Sequence, residues 1–221
     1  MPEIDFIGEV HNRTKRNYVQ RVIDYDKAEC AAVAKQYAFD YWDGDRRYGY
    51  GGYNYDGRWR GVAERMARHY GLKPGDRILD VGCGKGYLLY EFAQVVPGIE
   101  IAGADVSAYA VEHAKEEVKD ALTVANATQL PYPDKSFDFI VSLGALHCLP
   151  FSGLFEAIAE IERVGKNDRK YLMVESFRDE REKANLLYWQ LTCDSFHSAD
   201  EWPRVLASAG YHGDYGFIFF T

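Results

Sequence analysis

The stretch that most constrains this chain runs Arg77-Ile78-Leu79-Asp80-Val81-Gly82-Cys83-Gly84-Lys85-Gly86-Tyr87-Leu88-Leu89. An apolar run ends in an acid, glycines follow at alternate positions, and apolar residues then recur at helical spacing, which reads as strand, tight turn, helix. Glycines at such a turn let a ligand come close to the backbone and allow positive φ. Their spacing excludes two ligand classes. Dinucleotide binding asks for G-x-G-x-x-G, yet the sixth position counted from Gly82 is Tyr87. A P-loop asks for Gly-Lys-Ser/Thr, and here Gly84-Lys85 is followed by Gly86.

Downstream the pattern repeats. Leu88, Leu89, Phe92, Ala93 and Val96 make the apolar face of a helix ending near Pro97-Gly98, and Ile99 to Asp105 reads as a second strand that also ends in an acid. A carboxylate roughly 20 residues beyond the turn, at the carboxyl end of a strand, suits the hydroxyls of a ribose. Ala110, Val111, Ala114 and Val118 predict one continuous helix, Leu122 to Ala125 a third strand, Phe137 to Leu143 a fourth, Lys170 to Glu175 a fifth and Gly213 to Phe220 the last. Strands alternating with helices imply a parallel sheet covered on both faces, a doubly wound α/β fold.

Asp80-Val81-Gly82-Cys83-Gly84-Lys85-Gly86 resembles the first motif of the class I S-adenosylmethionine-dependent methyltransferases. Asn126-Ala127-Thr128-Gln129-Leu130-Pro131-Tyr132-Pro133-Asp134-Lys135-Ser136-Phe137-Asp138 resembles the second diagnostic block of their UbiE-like small-molecule branch. The resemblance covers residues 57 to 176. It implies a Rossmann-like, mostly parallel sheet forming a domain over 57–221, preceded by an N-terminal extension and lid loop over 1–56, with S-adenosyl-L-methionine as cofactor. It implies that Asp80, Gly82, Cys83, Gly84 and Gly86 shape the methionine end of the site and that Asp105 holds the ribose. Val106 then packs on the adenine, Asn126 and Ala127 lie at its edge, and Leu143 adjoins the donor. The family usually carries aspartate where this chain has Asn126; an amide oxygen can still accept from the adenine amine. It also usually ends in two strands, one antiparallel, so this sheet edge is expected to be short.

Methyl transfer is an in-line displacement whose leaving sulfide is neutral, so positioning carries most of the chemistry, worth roughly 7–11 kcal/mol. A base is needed when the acceptor is a hydroxyl or a charged amine. His147, in the loop after the fourth strand, is the candidate, its ordinary pKa of about 6.5 suiting the task; Tyr188 and Glu175 stand behind it. The run Asp43 to Trp59 mixes glycines, tyrosines and arginines, which predicts a lid over the cofactor to which Arg47, Tyr48 and Tyr50 contribute. Arginines can pair with a carboxylate or phosphate, and tyrosines can face a sulfonium.

A formal charge of −8 argues against a broad nucleic-acid surface. No apolar run approaches the ~20 residues of a membrane span, and the first residues lack the pattern of a secretion signal, so a cytoplasmic protein is expected. Cys30, Cys83, Cys148 and Cys193 are scattered singly, which suggests no metal and no disulfide framework. The acceptor is read as a small molecule methylated at oxygen or nitrogen, leaning to a sugar or nucleotide sugar. A non-catalytic cofactor-binding or interaction protein stays open as the alternative, and a homodimer as the assembly.

Overall fold

A computed structural model describes residues 1–221. Five helices come first: α1 (Gly8–His11), α2 (Tyr18–Asp24), α3 (Lys27–Ala34), α4 (Phe39–Trp42) and α5 (Arg60–Tyr70). Next follow β1 (Arg77–Val81), α6 (Tyr87–Val95), β2 (Glu100–Asp105), α7 (Ala108–Glu112), β3 (Leu122–Val124) and β4 (Phe139–Leu143). The chain continues through α8 (Phe151–Val164), β5 (Lys170–Ser176), α9 (Glu180–Trp189), α10 (Trp202–Ser208) and β6 (Asp214–Phe219).

All strand pairs are parallel, in the order β3-β2-β1-β4-β5-β6. The order reverses between β1 and β4, and in such sheets ligands gather beyond the carboxyl ends of the strands at that point. Both faces are packed, which is why β1, β4 and β5 read as near-continuous apolar runs rather than as alternating ones. One face holds Val62, Met66 and Tyr70 of α5 with Leu89 and Phe92 of α6; the other holds Leu154, Ile158 and Ile161 of α8 with Trp202 and Leu206 of α10. Each large side chain so buried stabilises the fold by about 1.5–3 kcal/mol. No helix is long and apolar enough to cross a membrane.

One sequence expectation changes, and two others gain detail. The helix expected through Val118 stops at Glu112, because the Lys115 N–H turns out to bond Lys85 O at 3.0 Å, and a 3-10 turn, Glu116–Ala121, follows. The last strand is parallel, and its outer edge is not bare: the Ile4 N–H donates to Tyr215 O at 2.8 Å and Glu3 pairs with Tyr215. The first residues also belong to the main core. Phe6 is 5% exposed, with its ring 5.0 Å from that of Tyr171 and 6.2 Å from that of Tyr70, so packing does not respect a boundary at residue 56.

Candidate functional site

A cavity of about 430 Å³ opens against the carboxyl ends of β1, β4 and β5, within the ~300–1,000 Å³ usual for small-molecule sites. Asp80 lies in its wall, 3% exposed, with Oδ1 buried and without a hydrogen-bond partner. Burial, with repulsion from Asp105 added, pushes this carboxyl up to about 8. A buried acid lacking a partner at the edge of a cavity is a receptor for a cationic or donating group.

Gly82, Cys83 and Gly84 line the same cavity, as does Leu143. Gly84 has φ 54, and a Cβ there would stand 2.9 Å from Trp42 Cη2, so both conformation and space require glycine. Gly86 faces away from the cavity, toward Val118. Asp105 sits behind the turn, 8% exposed, its Oδ2 accepting from Gly84 N at 2.7 Å and its Oδ1 from Ser107 N at 2.8 Å. The acid thus braces the turn, and the structure does not bring it, Val106, Asn126 or Ala127 into the cavity wall. Val106 instead presents an exposed apolar face just beyond, and Asn126 Oδ1 accepts from Thr128 N at 3.1 Å.

The extension forms the opposite wall. Trp42 donates from Nε1 to Ser107 Oγ at 2.9 Å and stacks on Tyr50 at 5.3 Å and 12°. Tyr50 leans on Tyr53, and Tyr53 stacks on Tyr87 at 5.1 Å, so an aromatic ladder runs from α4 to the start of α6. Lys85, inside the glycine turn, donates to Asp43 Oδ2 at 2.7 Å and to Tyr53 O at 3.0 Å, while the Tyr109 hydroxyl donates to Asp43 Oδ2 at 2.8 Å. Of the expected lid residues, Tyr50 reaches the cavity and Arg47 and Tyr48 do not. Arg47 pairs with Asp45 at 3.6 Å and lies over the rings of Tyr48 and Tyr25, and its carbonyl accepts from Arg21 at 3.2 Å.

His147 occupies a 3-10 turn after β4 and is in the cavity wall, but its chemistry is not that of the base expected from sequence. The ring is 1% exposed, and burial takes its pKa down to about 3. Its Nδ1 accepts from Glu175 N at 3.4 Å, which commits the lone pair and leaves the proton on Nε2, 3.4 Å from Glu175 Oε2. Glu175, at the end of β5, is the acid with chemical freedom. Its Oε2 has no hydrogen-bond partner, and burial pushes the carboxyl up to about 8 against the opposing pull of Gln190 and Arg16. His147, Glu175 and Cys193 offer donor atoms within 4.8 Å of one another, the one grouping here that could hold a metal. The histidine and the thiol are instead engaged as neutral groups, Cys193 Sγ donating to Ser195 O at 3.5 Å. Tyr188 is 40% exposed and outside the cavity.

Sequence reasoning missed Trp42, Asp43, Lys85 and Trp189. A lysine inside a glycine turn was the available signal, since a charge at so crowded a place needs a partner.

Comparison with known proteins places a family description, "Methyltransferase domain", on residues 79–173. The chain is 32% identical over 128 residues to demethylmenaquinone methyltransferase of Symbiobacterium thermophilum, covering 54% of this chain and 50% of that protein. It is 36% identical over 96 residues to 27-O-demethylrifamycin SV methyltransferase of Amycolatopsis mediterranei, covering 40% of this chain and 35% of that one. The chain therefore spans half or less of the length of these relatives. Among solved structures, YcgJ of Bacillus subtilis superposes with a TM-score of 0.56 at 24% identity, over 70% of this chain and 68% of that one. The [4+2]-cyclase SpnF superposes with a TM-score of 0.54 at 21% identity, over 95% of this chain and 74% of that one. The fold is that of the class I methyltransferases, and residues 79–173 match the methyltransferase-domain family.

Proposed function

We propose that this chain, built on a class I methyltransferase domain, binds S-adenosyl-L-methionine and directs its methyl group to an oxygen or nitrogen of a small-molecule acceptor. The observation that carries the reading is the convergence on one cavity of the glycine turn, the unpartnered Asp80 and the unpartnered Glu175. Asp80 Oδ1 fits the ammonium of the cofactor's methionine end, and Gly82 to Gly84 leave backbone open beside it. Asp105 presents remaining lone pairs to the ribose, and exposed Val106 offers an apolar face to the adenine. When bound, the cofactor supplies an activated methyl group.

The chain's own residues supply position, exclusion of water and a proton acceptor. Glu175 takes the acceptor's proton. A carboxyl lifted to about 8 is a far stronger base than an ordinary one, and the His147 ring stands beside it, Nε2 3.4 Å from Oε2. Trp42, Tyr50 and Tyr53 close the site from the extension. The arginine-lined wall supports a polar, oxygen-rich acceptor, and a sugar or nucleotide sugar is the lean we retain. The relatives named above act on a demethylmenaquinone and on a rifamycin, so they do not point to that class.

Calorimetric titration with S-adenosylhomocysteine tests cofactor binding, and mass spectrometry of acceptor mixtures incubated with the methyl donor tests transfer. Absence of binding in the folded protein would remove the reading. Binding of S-adenosylhomocysteine without any methylated product across sugars, phenols and amines would support a second reading, a cofactor-binding protein that transfers no methyl group.

A further inference from the structure

Arg16, Arg21 and Arg46 come from three separate places, the lead into α2, α2 itself and the lid loop, and converge on Trp189 at the end of α9. Their guanidinium carbons lie 5.4, 4.6 and 5.2 Å from its ring centroid. All three line the cavity. Arg47 and Arg58 nearby are each paired with an aspartate, but none of these three meets a carboxylate at ion-pairing distance. They donate only to neutral groups: Arg16 to Thr14 O at 3.1 Å, His11 O at 3.4 Å and His11 Nδ1 at 3.3 Å, Arg21 to Arg47 O at 3.2 Å and Arg46 O at 3.4 Å, and Arg46 to Gly49 O. Arg16 Nε is buried and has no partner at all. His11 is no counter-charge, its pKa being taken down to about 4 by burial and by Arg16 itself. Glu175 is near enough for Arg16 to lower its pKa, yet it remains a neutral acid below about 8.

Three like charges around one ring, partly desolvated and without an anion, are mutually repulsive, and the cost is relieved only when an anion is bound. We propose that Arg16, Arg21 and Arg46 form the subsite for a phosphoryl group carried by the methyl acceptor. The inference rests on the reading of this cavity as the transfer site. A phosphoryl dianion fits better than a single carboxylate, because three forked guanidiniums present more N–H donors than two oxygens can accept, whereas three phosphoryl oxygens match them. Trp189 holds the guanidinium planes in place, so less freedom is lost on binding. Arg16, being close to Glu175, sets the anion beside the proposed proton acceptor rather than at the glycine turn.

The cofactor also bears a carboxylate, and the test separates the two sources. Titrate the full chain with inorganic phosphate at constant ionic strength, alone and saturated with S-adenosylhomocysteine. Phosphate should bind with and without that ligand, within about twofold. Arg21→Gln and Arg46→Gln should each weaken phosphate at least tenfold while leaving the melting temperature of the free protein within a few degrees. Arg46 lies on an exposed loop and its guanidinium donates only to a loop carbonyl, so its variant should fold even if the Arg21 variant does not. Loss of phosphate binding when S-adenosylhomocysteine is present would assign the arginines to the cofactor's carboxylate and overturn the proposal. Phosphate binding unchanged in both folded variants, or absent in the parent protein, would overturn it as well. S-adenosylhomocysteine binding, read in the same titrations, reports separately on the cavity's assignment.

Discussion

Lys85 Nζ lies 2.7 Å from Asp43 Oδ2, with the lysine 5% and the aspartate 22% exposed. This pair fastens the turn after β1 to the segment that walls the cavity, so the site's two halves are joined by a contact of opposite charges away from most water. Burial alone would raise the Asp43 carboxyl, but bonds from Lys85, Tyr109 and the Tyr53 N–H outweigh it and hold the carboxyl below its usual value.

Asp43→Asn should destabilise the fold by about 2 kcal/mol, less than the ~3–5 kcal/mol of fully buried pairs because water partly screens this one. Replacing Lys85 by methionine in the same chain should recover part of the loss. The parent's extra stability should be complete above the unfolded carboxyl's 3.8 and disappear as pH falls through the lower folded value. Urea unfolding at neutral pH and near pH 3 checks both; equal stability of parent and variant at neutral pH would show the pair to be inert.

Glu175→Gln should lower turnover by about 10²–10⁴-fold and leave S-adenosylhomocysteine affinity within a few-fold. In the parent, turnover should climb with pH and level off above about 8, as Glu175 loses its proton. A variant with the parent's rate and pH profile would assign the proton to another group. His147→Ala should chiefly cost stability, about 2–4 kcal/mol, because the ring is buried and bonded to backbone.

Binding of S-adenosylhomocysteine at pH 7 should release up to one proton. Asp80 is protonated below about 8 in the free protein, and an ammonium at its Oδ1 favours the charged form. Calorimetry in buffers of different ionisation enthalpy measures this directly, and Asp80→Asn should abolish it. The same raised carboxyl makes the free protein lose stability as pH rises from the unfolded 3.8 through about 8, a loss that ligand should reduce.

Asp105→Asn should weaken S-adenosylhomocysteine at least tenfold and lower stability by about 1–2 kcal/mol, since one of two backbone N–H groups loses a charged acceptor. Parent-like affinity in the folded variant would remove this acid from the ribose site.

Phe6→Ala should cost about 3 kcal/mol, the expectation for an aromatic side chain deleted from a packed core. A change below 0.5 kcal/mol would mean that residues 1–7 are an appendage after all.

The sheet, its strand ends and the glycine turn were legible because each is written locally: apolar runs set β1, β4 and β5, and glycine spacing set the turn. Asp80, Gly82, Gly84, Leu143 and His147 were foreseen in the cavity on that basis and from resemblance. What local pattern could not show was desolvation. His147 reads as an ordinary base in sequence, and burial is what makes it a weak one, while burial makes the Glu175 carboxylate a strong one. Arg47 and Tyr48 looked equivalent to Arg46 and Tyr50, and only the path of the folded loop, which lays Arg47 over Tyr48 and Tyr25 and Arg46 over Trp189, separates them. Contacts such as Trp42 on Ser107 leave no periodic trace at all.

The bond from Ile4 to Tyr215 also sets an order of events during synthesis. The segment around Glu3 and Ile4 is made well before the strand it seals, β6, so the sheet's outer rim stays open until these two segments, distant in sequence, meet. Contacts so distant in sequence form slowly, and an uncovered strand rim is where one molecule can add to another. Refolding at high protein concentration is therefore the condition under which this fold is most prone to self-association, and the stretch from Glu3 to Ile7 acts as its built-in guard.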